Sequence, residues 1–324
     1  MNTEVESMKK FVTFLLIMAF SIAIMAANYP RKPVTIICPW GAGGGTDRLA
    51  RFLADELSKK LGQPFVVVNK TGGGGAVGHS AGAYASPDGY TLTLVTMEIA
   101  SMHWMGLTNL SFEAFDYIAQ VNEDSAGVLV KADASWKTLN DLLEDIKSNP
   151  GKFLFSGTAS GGIWDLARIG MLDAAGLSVD SVTWIPTTGA AQALIELLGG
   201  HVDVVTCSLA EAISQIQSGQ VRALAIMADE RDPRFPDVPT LKEFGINWSA
   251  GTWRGIAVPK NTPTEIKEIL EKAILEISHS EEFKEFMNKN GFGIKVRNGE
   301  QFYEFVKEQD RAWKHVLELG GYAK

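Results

Sequence analysis

Apolar runs alternate with amphipathic stretches along most of this chain. Residues 34–38 are apolar or β-branched without interruption, as in a buried strand, whereas residues 47–61 carry apolar side chains every three or four positions, as on one face of a helix. The same strand-then-helix order returns repeatedly up to residue 227. It predicts an α/β fold in which mixed, mostly parallel sheets are covered by helices on both faces.

The pattern and the turn residues between its segments set the expected elements. The predicted strands are 34–38, 65–68, 91–95, 128–131, 153–156, 182–185, 202–206, 223–227 and 255–258. The predicted helices are 47–61, 76–85, 139–148, 163–175, 190–198, 210–218, 264–277 and 301–319. Residues 231–247 contain Pro233, Pro236 and Pro239 and are predicted to form a long loop that ends in a short helix.

The N-terminus, residues 1–27, is typical of a secretory signal peptide. Lys9 and Lys10 precede an uncharged apolar run, and the small residues Ala26 and Ala27 indicate cleavage near one of them. This run is short for a transmembrane span, and no stop-transfer pattern follows it. A membrane anchor stays the alternative, and release into a periplasm is the expectation.

Composition narrows the possible functions. About 300 residues would remain after cleavage, which suits two domains of roughly 100–200 residues. The net charge of −8 and the absence of a basic run argue against a nucleic-acid partner. The histidines are scattered without metal-ligand spacing, so neither a metal nor a cofactor is expected. Cys38 and Cys207 are expected to be thiols near a crevice between domains, with a disulfide as the alternative.

Two glycine-rich turns follow predicted strands and lead into predicted helices. They read PWGAGGGTD at 39–47 and TGGGGAVG at 71–78. Glycine lets backbone N–H groups approach a ligand closely, and a helix N-terminus adds unpaired donors and partial positive charge. The turns therefore predict a binding site for a carboxylate or a phosphate.

Three residues of the first turn have further interpretations. Thr46 and Asp47 suit the N-cap of the following helix, and Asp47 is expected to cap rather than to contact an anion that its carboxylate would repel. Trp40 is equally suited to lining a pocket and to packing in the core.

Two enzyme hypotheses compete with binding. Residues 73–78 spell GxGxxG, with Glu98 twenty residues beyond, which outlines a dinucleotide fingerprint, although 69–72 separate it from the strand. An exported dinucleotide-dependent enzyme is therefore the main alternative. An exported hydrolase with Ser160 as nucleophile is weaker, because the GxSxG pattern is missing and no histidine with an orienting acid is recognisable.

Three later turns stand where strand ends should open onto a crevice. They are 156–162, 186–190 and 206–208, and each offers small hydroxyls and accessible N–H groups before a helix. Ligands in open α/β sheets bind at such positions. Any single Ser or Thr here would also suit ordinary helix capping, but together the turns predict the opposing wall of the site.

Short motifs recur in a fixed order over nearly the whole mature chain. They include PWGAGGGTD at 39–47, PDGYT at 87–91, NPGK at 149–152, GAAQAL at 189–194 and PDVPTL at 236–241. In these motifs the chain resembles the extracytoplasmic solute receptors of tripartite tricarboxylate transporters, also called Bug receptors.

The resemblance implies a two-lobed, hinged fold of the periplasmic-binding-protein type (type II, Venus flytrap). We place the first lobe at 28–125 plus 250–324 and the second at 126–249, with a hinge near Asp124 and Ala250. Such a monomeric receptor is not an enzyme. It closes on a small carboxylate (a di- or tricarboxylate, an aromatic acid or an acidic amino acid) and delivers it to a membrane permease.

The resemblance also implies which positions face the ligand. In the two glycine turns these are Trp40, Ala42, Gly43, Gly44, Gly73, Gly74 and Ala76. In the opposing lobe they are Thr158, Ser160, Gly161, Thr188, Gly189 and Ala190, and Thr46, Asp47 and Ser208 complete the candidate set. Many relatives carry Tyr where this chain has Thr187, so ring stacking from that position is not expected and the preferred ligand can differ.

Overall fold

The structure of the protein, a computed structural model, describes residues 29–324. The signal peptide predicted at 1–27 lies outside the described residues. Between residues 29 and 324, no helix combines the length and the hydropathy needed to cross a membrane.

The described residues form ten strands and nine α-helices. The strands are β1 Val34–Cys38, β2 Phe65–Asn69, β3 Thr91–Thr96, β4 Phe115–Lys131, β5 Leu154–Ser156, β6 Thr183–Ile185, β7 Val204–Ser208, β8 Val221–Ile226, β9 Gly251–Pro259 and β10 Ile294–Asn298. The helices are α1 Gly45–Leu61, α2 Ala76–Ala83, α3 Leu139–Ser148, α4 Ile163–Ala174, α5 Ala190–Gly199, α6 Ile213–Gln217, α7 Thr264–Ser278, α8 Glu281–Lys289 and α9 Gly299–Leu319.

Most predicted elements are confirmed, with ends that differ by a few residues. The largest difference is β4, which was expected only over 128–131 and in fact begins at Phe115. Its first half carries Gln120, Asn122 and Asp124, which are polar yet buried, so the apolar run that marks a buried strand is interrupted there. α8 and β10 were not predicted, and α6 is shorter than expected.

The strands follow the order β2-β1-β3-β9-β4-β7-β5-β6, and β8 and β10 also pair with β4. The parallel strand pairs are those of β2-β1-β3 at one side and of β6-β5-β7 at the other. The pairs formed by β9 and β4 are antiparallel, because these strands run between the two parallel groups without a helical crossover. The sheet is mixed as predicted, but it is less parallel than the alternation indicated.

Each parallel group packs against helices that bury an apolar face. On α1, Leu49, Leu53 and Leu57 recur four residues apart and are fully buried in a cluster with β1, β3 and α7. Burying each such side chain stabilises the fold by about 1.5–3 kcal/mol. A second cluster joins β4, β5 and β7 to α3, α4, α5 and α9. The lobe boundaries at 28–125 plus 250–324 and 126–249 stay a prediction.

The two cysteines are buried and are not joined in a disulfide. Burial raises the pKa of the Cys38 thiol to about 11 and also raises the pKa of Cys207. Both side chains are therefore protonated at neutral pH and act as small core residues.

Candidate functional site

A cavity of about 270 Å³ lies at the carboxyl ends of β1, β3, β5, β6 and β7. Segments that follow these strands form most of its wall, as expected for ligand sites in open α/β sheets. Its lining residues are Trp40, Gly41, Ala42, Gly44, Gly45, Thr46, Glu98, Thr158, Ile163, Trp164, Thr188, Gly189, Ala190, Ala191, Gln192, Ile195, Glu211, Thr252 and Arg254. No histidine is among them, so the cavity offers the hydrolase hypothesis no general base of that kind.

Three helices begin at this cavity: α1, α4 and α5. Their N-cap residues are Gly44, Gly162 and Gly189, which have no side chain that could accept a hydrogen bond from the first N–H groups of the helix. The first N–H groups of a helix have no acceptor within it, and together they carry about half a positive charge. The cavity therefore collects backbone N–H donors and a positive field from these helix ends.

One of the three helix ends is already occupied by a carboxylate of the protein itself. Glu98 Oε1 accepts a hydrogen bond of 3.1 Å from the N–H of Ile163, the first residue of α4. Its Oε2 accepts from the Thr96 hydroxyl, and Thr96 Oγ1 in turn accepts 3.1 Å from the Trp40 indole N–H. Burial raises the pKa of Glu98, and the hydrogen bonds from Thr96 and Ile163 act against that rise.

The other two helix ends keep free donors. The N–H groups of Gly45 and Thr46 on α1, and those of Ala190 and Ala191 on α5, have no acceptor among the described residues. All four residues line the cavity. These two ends, from the glycine turn and from the opposing wall, are the part of the site that can bind an added anion.

Beneath α1, the side chain of Arg254 is buried, with 2% of it exposed. Its Nη1 donates to Asn122 Oδ1 at 2.6 Å and to Asp124 Oδ2 at 3.0 Å, and its Nη2 lies 3.3 Å from Glu211 Oε1. Its Nε donates to Thr46 Oγ1 at 3.0 Å. The guanidinium is thus neutralised by internal carboxylates and ties β9 to β4, to α1 and to the segment after β7.

Asp47 has a structural role, and the cap prediction for it and for Thr46 is wrong. α1 begins at Gly45 with Gly44 as N-cap, so Thr46 and Asp47 lie inside its first turn. Asp47 Oδ2 accepts from the Gly43 N–H at 3.0 Å and from Arg51 Nε at 2.9 Å. Burial alone would raise the pKa of Asp47, but these bonds hold it below its usual value. Asp47 and Gly43 are absent from the cavity lining.

The second glycine turn packs behind the first. Gly73, Gly74 and Ala76 do not line the cavity. A Cβ on Gly75 would lie 3.3 Å from the Trp40 ring, and one on Gly78 would lie 2.5 Å from the Cα of Pro39. The glycines of the GxGxxG pattern thus permit close packing against the first turn. Ligand contacts from Gly73, Gly74 and Ala76 stay a prediction.

On the opposing wall, Thr158, Thr188, Gly189 and Ala190 line the cavity, as expected of ligand-facing positions. Ser160, Gly161 and Ser208 do not, so ligand contacts from them stay a prediction.

The residues beside this wall are held by internal bonds. The Gly161 N–H donates to Asp165 Oδ2 at 2.9 Å, and the Tyr322 hydroxyl donates to the same oxygen at 2.6 Å. Thr187 uses its hydroxyl to donate to the Gly157 carbonyl at 3.0 Å. The loop after β5 is therefore fixed from both sides.

Sequence reasoning missed the charged residues of the cavity. Glu98 was noted only as part of a dinucleotide outline, and Glu211 and Arg254 were not considered as site residues. The one available signal was Arg254, a lone arginine directly before the predicted apolar strand 255–258, since a charge that becomes buried requires partners. No group of metal ligands occurs within residues 29–324.

Comparisons with known proteins agree with one another. A family model described as "Tripartite tricarboxylate transporter family receptor" matches residues 49–321. A UPF0065 protein of Cupriavidus necator is 32% identical over 300 residues, which cover 92% of this chain and 90% of that protein. The solved periplasmic binding protein BugD superposes with a TM-score of 0.85 at 30% identity, covering 91% of this chain and 100% of BugD. MatC from Rhodopseudomonas palustris, solved with bound malate, superposes with a TM-score of 0.83 at 26% identity, covering 89% of this chain and 100% of MatC.

These superpositions confirm the predicted fold class. The mixed, curled α/β sheet described above is that of solved periplasmic binding proteins.

Proposed function

The chain belongs to the receptor family of the tripartite tricarboxylate transporters, as a periplasmic-type solute-binding receptor related to the Bug proteins, and we propose that it captures a small carboxylate for a membrane permease. Members of this family are receptors rather than enzymes. The proposal includes export, with the signal peptide cleaved near Ala26 or Ala27, and action as a monomer.

The observation that carries this proposal is the pair of open helix ends at one cavity. The free N–H groups of α1 and α5 supply donors for a carboxylate, and no basic side chain of the cavity is left to pair with it, since Arg254 is neutralised internally. Backbone donors bind an anion without the cost of desolvating a separate counter-charge. A relative of similar fold, MatC, was solved with malate, which is a carboxylate of the proposed kind.

Closure follows from where the donors lie. α1 belongs to the first proposed lobe and α5 to the second, so a carboxylate held by both stabilises only the arrangement in which the lobes meet. A ligand shifts an open–closed equilibrium by its difference in affinity for the two states. The hinge is proposed near Asp124 and Ala250, where β4 stops pairing with β9 and begins to pair with β7 and β8. At this point the Ala126 N–H donates to the Ala250 carbonyl at 2.8 Å.

A thermal-shift screen against carboxylates tests the function. At a ligand concentration of about 100 times Kd, binding stabilises the folded state by about 2.7 kcal/mol. For a protein of this size each kcal/mol raises Tm by roughly 2–4 °C. We therefore expect at least one mono-, di- or tricarboxylate to raise Tm by several degrees, while its amide analogue, which has no negative charge, leaves Tm unchanged.

The same screen also tests the two competing enzyme hypotheses. NAD and NADP are included as ligands, and common esters are tested for turnover. A Tm shift with NAD but with none of the acids, or measurable ester hydrolysis, would contradict the receptor proposal.

A further inference from the structure

Two polar side chains at the cavity are buried and lack partners. Glu211 Oε2 accepts no hydrogen bond, although its side chain is only 8% exposed, and the buried hydroxyl of Thr158 also has no partner. Both residues line the cavity. A buried acceptor without a donor is costly, so an unpaired carboxylate oxygen at a ligand site points to a donor on the ligand.

Two arginine side chains lie near Glu211, and neither bonds its Oε2. Its other oxygen, Oε1, lies 3.3 Å from Arg254 Nη2. Arg48 is a second nearby cation, and its two Nη atoms donate hydrogen bonds to Asn290 Oδ1 and to the Ala210 carbonyl. With Glu211 ionised, Arg48 and Arg254 are balanced by two carboxylates, Glu211 and Asp124. Burial raises the pKa of Glu211; Arg254 opposes that rise, Asp124 adds to it and Arg48 opposes it, so a hydrogen-bond donor of the ligand at Oε2 would favour the carboxylate.

The position of Glu211 relates this acceptor to the carboxylate subsite. A Cβ built on Gly45 would lie 3.0 Å from both Glu211 Cγ and Oε1. Gly45 is the first residue of α1, whose N–H groups are proposed to hold the ligand carboxylate. Oε2 belongs to the same carboxyl group as Oε1, and Glu211 lines the cavity together with Gly45, so this carboxyl group lies beside the carboxylate subsite.

We propose that Glu211 determines specificity by accepting a hydrogen bond from a hydroxyl or ammonium group on the α-carbon of the ligand, so that the receptor selects α-hydroxy or α-amino acids over unsubstituted acids. This inference rests on the proposed carboxylate function and narrows its ligand class. Sites built to bond a ligand hydroxyl or amine reject the analogue that lacks it, because their own buried groups are then left unpaired.

Matched acids test the inference by calorimetry at pH 7.5. Each set keeps one carbon frame and varies only the α-substituent: propionate, lactate and alanine; succinate, malate and aspartate; glutarate, 2-hydroxyglutarate and glutamate; phenylacetate, mandelate and phenylglycine. We expect an α-substituted member of the best-binding frame to bind at least tenfold tighter than the unsubstituted one. The hydroxy and amino members of each set distinguish the two donor types.

The variant Glu211→Gln then links the preference to this residue. Arg254 donates, so the amide oxygen of Gln will face it, and the amide nitrogen, a donor, will face the ligand instead of an acceptor. We expect the tenfold preference to disappear or reverse, while Glu144→Gln at an exposed position of α3 keeps it. A Tm of Glu211→Gln close to that of the native protein verifies folding.

The possible outcomes distinguish a failure of this inference from a failure of the proposed receptor function. Equal or tighter binding of the unsubstituted acids to the native protein overturns the role of Glu211 and leaves the carboxylate receptor intact. A preference that survives in Glu211→Gln overturns it as well. Failure of every acid to bind would contradict the proposed function, and this inference with it.

Discussion

Replacing Arg254 by methionine is expected to lower the free energy of unfolding by about 3–5 kcal/mol, measured by urea denaturation followed through tryptophan fluorescence. The change removes the guanidinium that bonds Asp124, Asn122 and Glu211 and leaves the two buried carboxylates without the cation that bonds both of them. Methionine fills similar space, so the loss reports the uncompensated charge rather than a large cavity. It is a large fraction of the stability of an ordinary domain.

The loss of stability in Arg254→Met should also depend on pH, and its direction follows from the pKa of Glu211. Burial already raises the pKa of Glu211, and losing Arg254 removes a group that lowers it. A carboxyl group whose pKa is raised in the folded state contributes stability below its unfolded pKa of about 4.3 and loses that contribution as pH rises through the folded value. The difference between Arg254→Met and the native protein should therefore be smaller at pH 5 than at pH 8.

Arg231→Met is the matched control. Arg231 also forms a two-bonded pair with a glutamate, Glu243, but both side chains are more than two-fifths exposed. Exposed pairs contribute about 0–1 kcal/mol. If the loss in Arg254→Met is no larger than in Arg231→Met, Arg254 is not the buried anchor described here.

Gly189→Asp is expected to weaken carboxylate binding by a factor of about 100 or more, while Tm stays the same or rises slightly. Gly189 is the N-cap of α5, its backbone is extended, and a Cβ there would meet no atom within 4 Å. An aspartate at an N-cap bonds the free N–H groups of the first turn and so stabilises the helix. Here those N–H groups are the proposed ligand donors, and each hydrogen bond to a charged group is worth about 1.5–3 kcal/mol.

Three substitutions at this one position distinguish the effect of added side-chain volume from the effects of helix capping and of negative charge. Gly189→Ala adds a methyl group without an acceptor and should bind within a few-fold of the native protein. Gly189→Asn caps the helix without a charge and should fall between the alanine and aspartate variants. Native-like affinity in Gly189→Asp, measured by calorimetry with the best acid of the carboxylate screen, would show that the N-terminus of α5 does not hold the ligand.

The fold was largely predictable because its signals are local. The periodicity of Leu49, Leu53 and Leu57 marks α1 within one short window, and the same holds for most helices and parallel strands. The first half of β4 was missed because Gln120, Asn122 and Asp124 look like loop residues in sequence. They are buried because Arg254 and other partners reach them from distant parts of the chain, which no local window contains.

The candidate site was predictable only in outline. Glycine is used both where a ligand must approach the backbone and where two segments pack closely, and the sequence does not distinguish the two uses. Gly44 leaves α1 uncapped at the cavity, whereas Gly78 lets α2 lie against Pro39. The sequence also did not show that the Gly43 N–H donates to the Asp47 side chain rather than to a ligand. The turns at the ends of the predicted strands indicated the opposing wall, and the resemblance added its ligand-facing positions, of which Thr158, Thr188, Gly189 and Ala190 line the cavity.

Backbone N–H groups at the starts of α1 and α5 are proposed to bind the ligand carboxylate. Amide ¹H–¹⁵N NMR of the assigned protein, titrated with the tightest-binding acid of the screen, observes these groups individually. We predict that the amide protons of Gly45, Thr46, Ala190 and Ala191 shift downfield at saturation, as expected for new hydrogen bonds to an anion. Saturation with these four amides unmoved, and with the largest shifts at Gly73 and Gly74, would contradict the account.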